Sequence, residues 1–177
     1  MTIVELTAGL EQCRSRHPAG TPGPVCFAVR GIPHTQGSKS GFVVNGRVVL
    51  REGSSSRAAA DLKAWRYAVG TEAARVCPGL LEGPLLVSLR FGLPKPAAAP
   101  KRRRTWPIGA RSGDVDKLAR AVLDGCTGVC FADDAQVVGL AVTKDYGTPG
   151  VEVVVASASG DPGLDWLAVW TAVPHDR

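Results

Sequence analysis

Gly113-Asp-Val-Asp-Lys-Leu-Ala-Arg-Ala-Val-Leu-Asp124, then Gly125-Cys-Thr-Gly-Val-Cys-Phe-Ala132, then Asp133-Asp-Ala-Gln-Val137: the reading of this chain turns on these residues. The first part predicts a helix over Val115 to Gly125, with Gly125 or Gly128 as its stop. Asp116 falls at its start, where a carboxylate caps free N–H groups. Downstream, Val137 to Lys144 and Val151 to Ala156 read as strands, and upstream the apolar run Leu85 to Phe91 reads as a strand buried on both faces. Before it, Ala58, Leu62, Trp65, Val69 and Ala73 recur at helical spacing and predict a helix from Arg57 to Val76, capped by Ser55 or Ser56. Val25 to Arg30 is a first strand. Phe42 to Leu50 is a pair of short strands around Asn45-Gly46, which suits a type I′ turn. The order strand, hairpin, helix, strand, helix, strand, strand predicts an α/β (α+β) fold with a mixed sheet and two main helices.

The length of 177 residues fits one folded domain. Residues 25–156 are expected to form it. Residues 1–24 form an extension with a short helix from Val4 to Arg14 and a Pro- and Gly-rich linker. Residues 157–177 form a tail in which Trp166 and Trp170 suit a docking or dimer helix. No apolar run approaches the ~18 residues of a spanning helix, and the start lacks the basic and apolar regions of a signal peptide. The cysteines are odd in number (five) and scattered, which predicts reduced thiols in cytoplasm. Without CxxC or HExxH, a structural zinc site is not expected.

The net charge of +5 hides a split: residues 1–113 carry 17 Lys+Arg against 6 Asp+Glu, and residues 114–177 carry 4 against 10. Five of the ten Asp (Asp114, Asp116, Asp124, Asp133 and Asp134) fall within residues 114–134. Asp116, Arg120 and Asp124 are spaced i, i+4, i+8 along one helix stripe, Asp114 folds over the same end, and Asp133-Asp134 follow closely enough to lie beside it. Crowded carboxylates repel, and a divalent cation relieves that. Oxygen-only ligands favour Mg²⁺ or Mn²⁺. Phosphoryl transfer uses such a centre, since a carboxylate-held Mg²⁺ activates water and stabilises charge on the leaving oxygen. Arg120, Lys117 or Lys144 is then positioned to offset transition-state charge.

The basic run Lys101-Arg102-Arg103-Arg104 and Arg111 lie on a Pro-rich loop just before the acidic cluster and suit the DNA phosphate backbone. Trp106 beside the run either stacks on a base or ribose or anchors the loop. Gly31 to Ser40 resembles a phosphate loop but has the wrong spacing, with Ser38 in place of the lysine; its Lys39 remains a candidate phosphate contact.

Gly113-Asp-x-Asp, x3-Arg120-x3-Asp124 and Asp133-Asp134-Ala-Gln-Val137 together resemble the RusA family of Holliday-junction resolvases, endonucleases of bacterial phages and prophages. Phe27-x-Val-x-Gly-x-Pro33, Gln36-Gly-Ser-Lys39, Asp61-x-Lys-x-Trp65 and Lys144-x-Tyr146 extend the resemblance over about residues 25–156. It implies a Mg²⁺-dependent homodimer that introduces paired nicks into four-way DNA junctions in the cytoplasm. The essential carboxylates map to Asp114, Asp116 and Asp134, with Asp133 adjacent, and the family lysine maps to Arg120. Lys117 stands where the family often has Asn. Arg keeps the charge but cannot donate a proton, so Lys117 and Lys144 join Arg120 as candidates for the catalytic cation. Alternatives to junction resolution are cleavage of other branched DNA and DNA binding without catalysis.

Overall fold

A computed structural model describes residues 23–37, 40–51, 56–100, 102–109 and 112–158. The Val4 to Arg14 helix, the tail with Trp166 and Trp170, the cap at Ser55, and the candidate contacts Lys39, Lys101 and Arg111 lie outside the described residues.

The strands are β1 (Val25–Arg30), β2 (Ser40–Val44), β3 (Arg47–Arg51), β4 (Leu85–Leu93), β5 (Val137–Tyr146) and β6 (Gly150–Ser157). The helices are α1 (Ser56–Val76) and α2 (Val115–Cys126), and a 3-10 turn covers Asp134–Gln136. Four strands form a sheet in the order β1-β6-β4-β5. β6 is antiparallel to both β1 and β4, whereas β5 is parallel to β4, so the sheet is mixed and the fold is α+β as expected. The parallel pair exists because α2 carries the chain back across the sheet between β4 and β5.

One face of the sheet is apolar by alternation: Val25, Phe27 and Val29 on β1, Leu85, Val87, Leu89 and Phe91 on β4, and Val151, Val153 and Val155 on β6 are all buried. Leu62, Trp65, Val69 and Ala73 of α1 and Leu118, Ala119, Ala121 and Val122 of α2 complete this core. An open four-stranded sheet packed by two helices accounts for why these helices hold their positions, since amphipathic packing supplies most helical stability.

β2 and β3 form a separate two-stranded hairpin. Asn45 (φ 49°) and Gly46 (φ 74°) both take the left-handed conformation, as a type I′ turn requires. Val43 and Val48, opposite each other, are largely exposed.

Two expectations at α2 need correction. Gly125 does not stop the helix: it lies inside it, buried, and a Cβ there would meet Val69 at 2.8–2.9 Å and the Arg66 carbonyl at 3.0 Å. Its role is close approach of α1 and α2. The chain turns at Gly128 (φ +77°), whose N–H donates to Phe131 O at 2.7 Å. At the other end the N-cap residue is Asp114, not Asp116, and its side chain makes no capping bond. Among the described residues no helix is long and apolar enough to cross a membrane.

Candidate active site

The N-terminus of α2 lies over the C-terminal ends of the parallel strands β4 and β5. Two contacts fix it there. Gln36, buried in the loop after β1, donates its N–H to Lys117 O at 3.0 Å. Lys144, near the end of β5, donates from Nζ to Ser112 Oγ at 3.1 Å and to Gly113 O. The Ser112 hydroxyl in turn lies 2.5 and 2.6 Å from the carbonyls of Pro107 and Gly109, which ties the end of the basic loop to the helix start. Gly113 has φ +72°, and a Cβ there would run into the Thr35 methyl, so only glycine brings the chain into α2 so close to the Gly31–Gly37 loop.

At this end Asp114, Asp116 and Arg120 are exposed. Asp114 Oδ2 pairs with Lys117 Nζ at 2.6 Å. That hydrogen bond and charge, with a smaller contribution from Lys144, hold the Asp114 carboxyl below its usual range. The same partner raises Lys117, and Asp116 adds to it, so Lys117 stays protonated. Two of the three candidate cations, Lys117 and Lys144, therefore act on Asp114. Arg120 stands one turn along the stripe from Asp116. Asp124, the third residue of that stripe, is engaged elsewhere, by Arg66 of α1 at 2.9 Å.

Asp133 and Asp134 do not lie beside this end. They follow the tight turn at the C-terminus of α2, which at 12 residues spans about 18 Å. β5 runs back the same length: Val137 pairs with Leu85 at the start of β4, and Lys144 with Phe91 near its end. The helix thus separates Asp114 and Asp116 from Asp133 and Asp134. Accordingly, among the described residues no three carboxylate, thiol or imidazole groups come together to hold a metal.

Within the second pair the two residues differ in role. Asp133 caps the 3-10 turn, its Oδ1 accepting from Ala135 N at 2.8 Å, in a capping box with Gln136. Gln136 Oε1 accepts from Ala132 N and Asp133 N at 2.9 and 3.3 Å, while Nε2 donates to Leu81 O and Gly83 O at 3.0 and 3.1 Å. Asp133 and Gln136 thus hold the turn, and the Asp134 side chain is exposed. The Asp-x-x-Gln spacing carried this signal, although Gln136 was not among the expected site residues. Ser112, also outside that set, has no comparable sequence signature.

Of the basic loop, Arg102 and Arg103 are exposed. Arg104 pairs with Asp145 of β5 at 2.6 Å and lies over the Trp106 ring at 4.2 Å, so it anchors the loop as well as adding charge.

The sequence pattern of the family described as "Endodeoxyribonuclease RusA" matches residues 44–156. The chain is also 28% identical over 142 residues to the uncharacterised protein YqaN of Bacillus subtilis (strain 168), a match that spans 75% of this chain and 96% of that protein.

Proposed function

The chain belongs to the RusA endodeoxyribonuclease family, and from that premise we propose that it is a Mg²⁺-dependent endonuclease that resolves four-way DNA junctions by paired phosphodiester hydrolysis. The observation that carries this reading is the meeting of two carboxylates and two lysines at the N-terminus of α2. Asp114 and Asp116 fit Mg²⁺, which is commonly held by one or two carboxylates together with substrate phosphate. Mn²⁺ suits the same oxygen donors. When bound, the ion supplies charge neutralisation at the scissile phosphate and activation of the attacking water.

The chain's own groups do the rest. Asp114 leaves the first-turn N–H groups of α2 without a side-chain cap, so they face a phosphate with the positive end of the helix dipole. Lys117 and Lys144 flank that position and offset charge that builds up as the bond breaks. Arg102 and Arg103, with Lys101 and Arg111, hold the flanking backbone. Asp134, at the far end of α2, joins the same centre only from another chain. The reading therefore includes a homodimer in which Asp134 of the partner subunit faces Asp114 and Asp116 across a two-fold axis.

The test is cleavage of a four-way junction in Mg²⁺, compared with fork, flap and linear duplex. Junction nicking that Asp116→Asn reduces by about 10²-fold or more, with folding and junction binding retained, is the expected result. Preference for forks or flaps would move the reading to other branched DNA, and tight binding without nicking would leave a DNA-binding protein. Mixing Asp116→Asn with Asp134→Asn protein tests the shared site: each alone is inactive, and the mixture regains single-strand nicking because mixed dimers hold one complete set.

A further inference from the structure

The segment that follows α1 is bound to the turn that follows α2. Leu81 N donates to Cys130 O at 2.7 Å, and Leu81 pairs with Phe131 in a parallel bridge. Gln136 Nε2 reaches Leu81 O and Gly83 O from the same turn. Where this strap begins, Cys77 Sγ and Cys130 Sγ lie 2.7 Å apart, although 53 positions separate them in sequence. A disulfide needs about 2.0 Å, so the sulfurs are within about 0.7 Å of bonding distance. Cys130 is buried, and Cys77 is half-buried, which gives a reagent one point of entry.

We propose that Cys77 and Cys130 form a reversible disulfide site whose oxidant is a small-molecule disulfide of the glutathione type. The Cys77 thiolate attacks one sulfur of that disulfide and expels one small thiolate, leaving a mixed disulfide on Cys77. Cys130, having given its proton to solvent, attacks the Cys77 sulfur and expels the second thiolate, which protonates. Two protein thiols become one disulfide, and the two electrons reduce one small-molecule disulfide to two thiols. The link welds the end of α1 to the turn that carries Asp134 and closes a long loop, so it constrains the unfolded chain strongly.

Burial, with the neighbouring Cys130, pushes the Cys77 thiol up to about 12. A hydrogen bond with Cys126, then burial, raises Cys130. Both are thus protonated at neutral pH, and exchange is slow there and faster in alkali. The site does not depend on the nuclease reading, since neither cysteine is assigned a role in cleavage.

The full-length reduced protein is incubated with glutathione disulfide at alkaline pH, quenched in acid, unfolded and alkylated. Free thiols should fall from five to three, with non-reducing peptide maps joining Cys77 to Cys130. Tm should rise by roughly 5–15 °C and return on reduction. Cys77→Ser should lose both the link and the rise. Five thiols that persist, a stable mixed disulfide on Cys77, a link from Cys130 to Cys126, or a link between chains would each overturn the proposal.

Discussion

Asp114 and Asp116 sit two positions apart and both act on Lys117, with Asp114 in direct contact at 2.6 Å. Its lowered pKa keeps the carboxylate ionised further into acid than usual, and Lys117→Ala should return it toward the ordinary range. A carboxyl titration followed by NMR reads that rise directly. The sign for stability follows from the same shift. A depressed carboxyl contributes above its unfolded pKa, and the contribution is lost as pH falls through the folded one; with both groups exposed it is small. Lys144→Ala should lower single-turnover cleavage by roughly 10²-fold, while junction affinity changes far less. Asp114, Asp116, Lys117 and Lys144, which the sequence offers as candidates, all lie at the N-terminal end of α2. The lysines were legible as alternatives to Arg120 because charge and proximity along the chain suffice for that. That Lys144 bonds to Gly113 and Ser112 was not legible, because the contact depends on where β5 ends relative to α2.

Elements explain which of the clustered aspartates are engaged in holding the fold. Asp133 caps the 3-10 turn and Asp124 forms an interhelix ion pair, so density along the sequence does not distinguish carboxylates engaged in the fold from exposed ones. Gln136→Ala removes the fastener between the Asp134 turn and the strap after α1. It should cost about 1–3 kcal/mol in denaturant unfolding and weaken cleavage through a loosened Asp134. Gly125 and Gly128 stand as alternative stops in the sequence, and Gly128 makes the turn. A glycine near a helix end signals either a stop or a close approach, and only the partner helix decides between them. Gly125→Ala forces α1 and α2 apart at Val69 and should destabilise the fold by about 1–3 kcal/mol, read as a lowered denaturation midpoint. The strands, both helices and the Asn45-Gly46 turn were legible because their periods and turn chemistry are local properties.

For the whole molecule, the parallel pairing of β4 with β5 was beyond the sequence reading, and it decides the geometry of the site. It places the two ends of α2 at opposite ends of the strands and so divides the acidic cluster that composition had grouped together. The charge split has a matching consequence for binding. If the basic loop holds phosphates, junction affinity falls linearly with log salt, and replacing Arg102 and Arg103 by Gln should lower that slope by about 1 for each lost contact. Titrations at several salt concentrations with an uncleavable variant measure it.

The antiparallel register of β1 with β6 sets Val25 opposite Val155. The entry to the first strand and the exit from the last are therefore neighbours, about 5 Å apart across the sheet, although Val25 and Val155 are 130 positions apart in the chain. The two ends of the described body thus lie side by side, close enough for a short linker to join them. A permuted protein that joins residue 158 to residue 23 through a short Gly-Ser linker and opens between Asn45 and Gly46 should keep the four-stranded sheet and its two helices. Circular dichroism and thermal unfolding close to those of the parent order would bear this out.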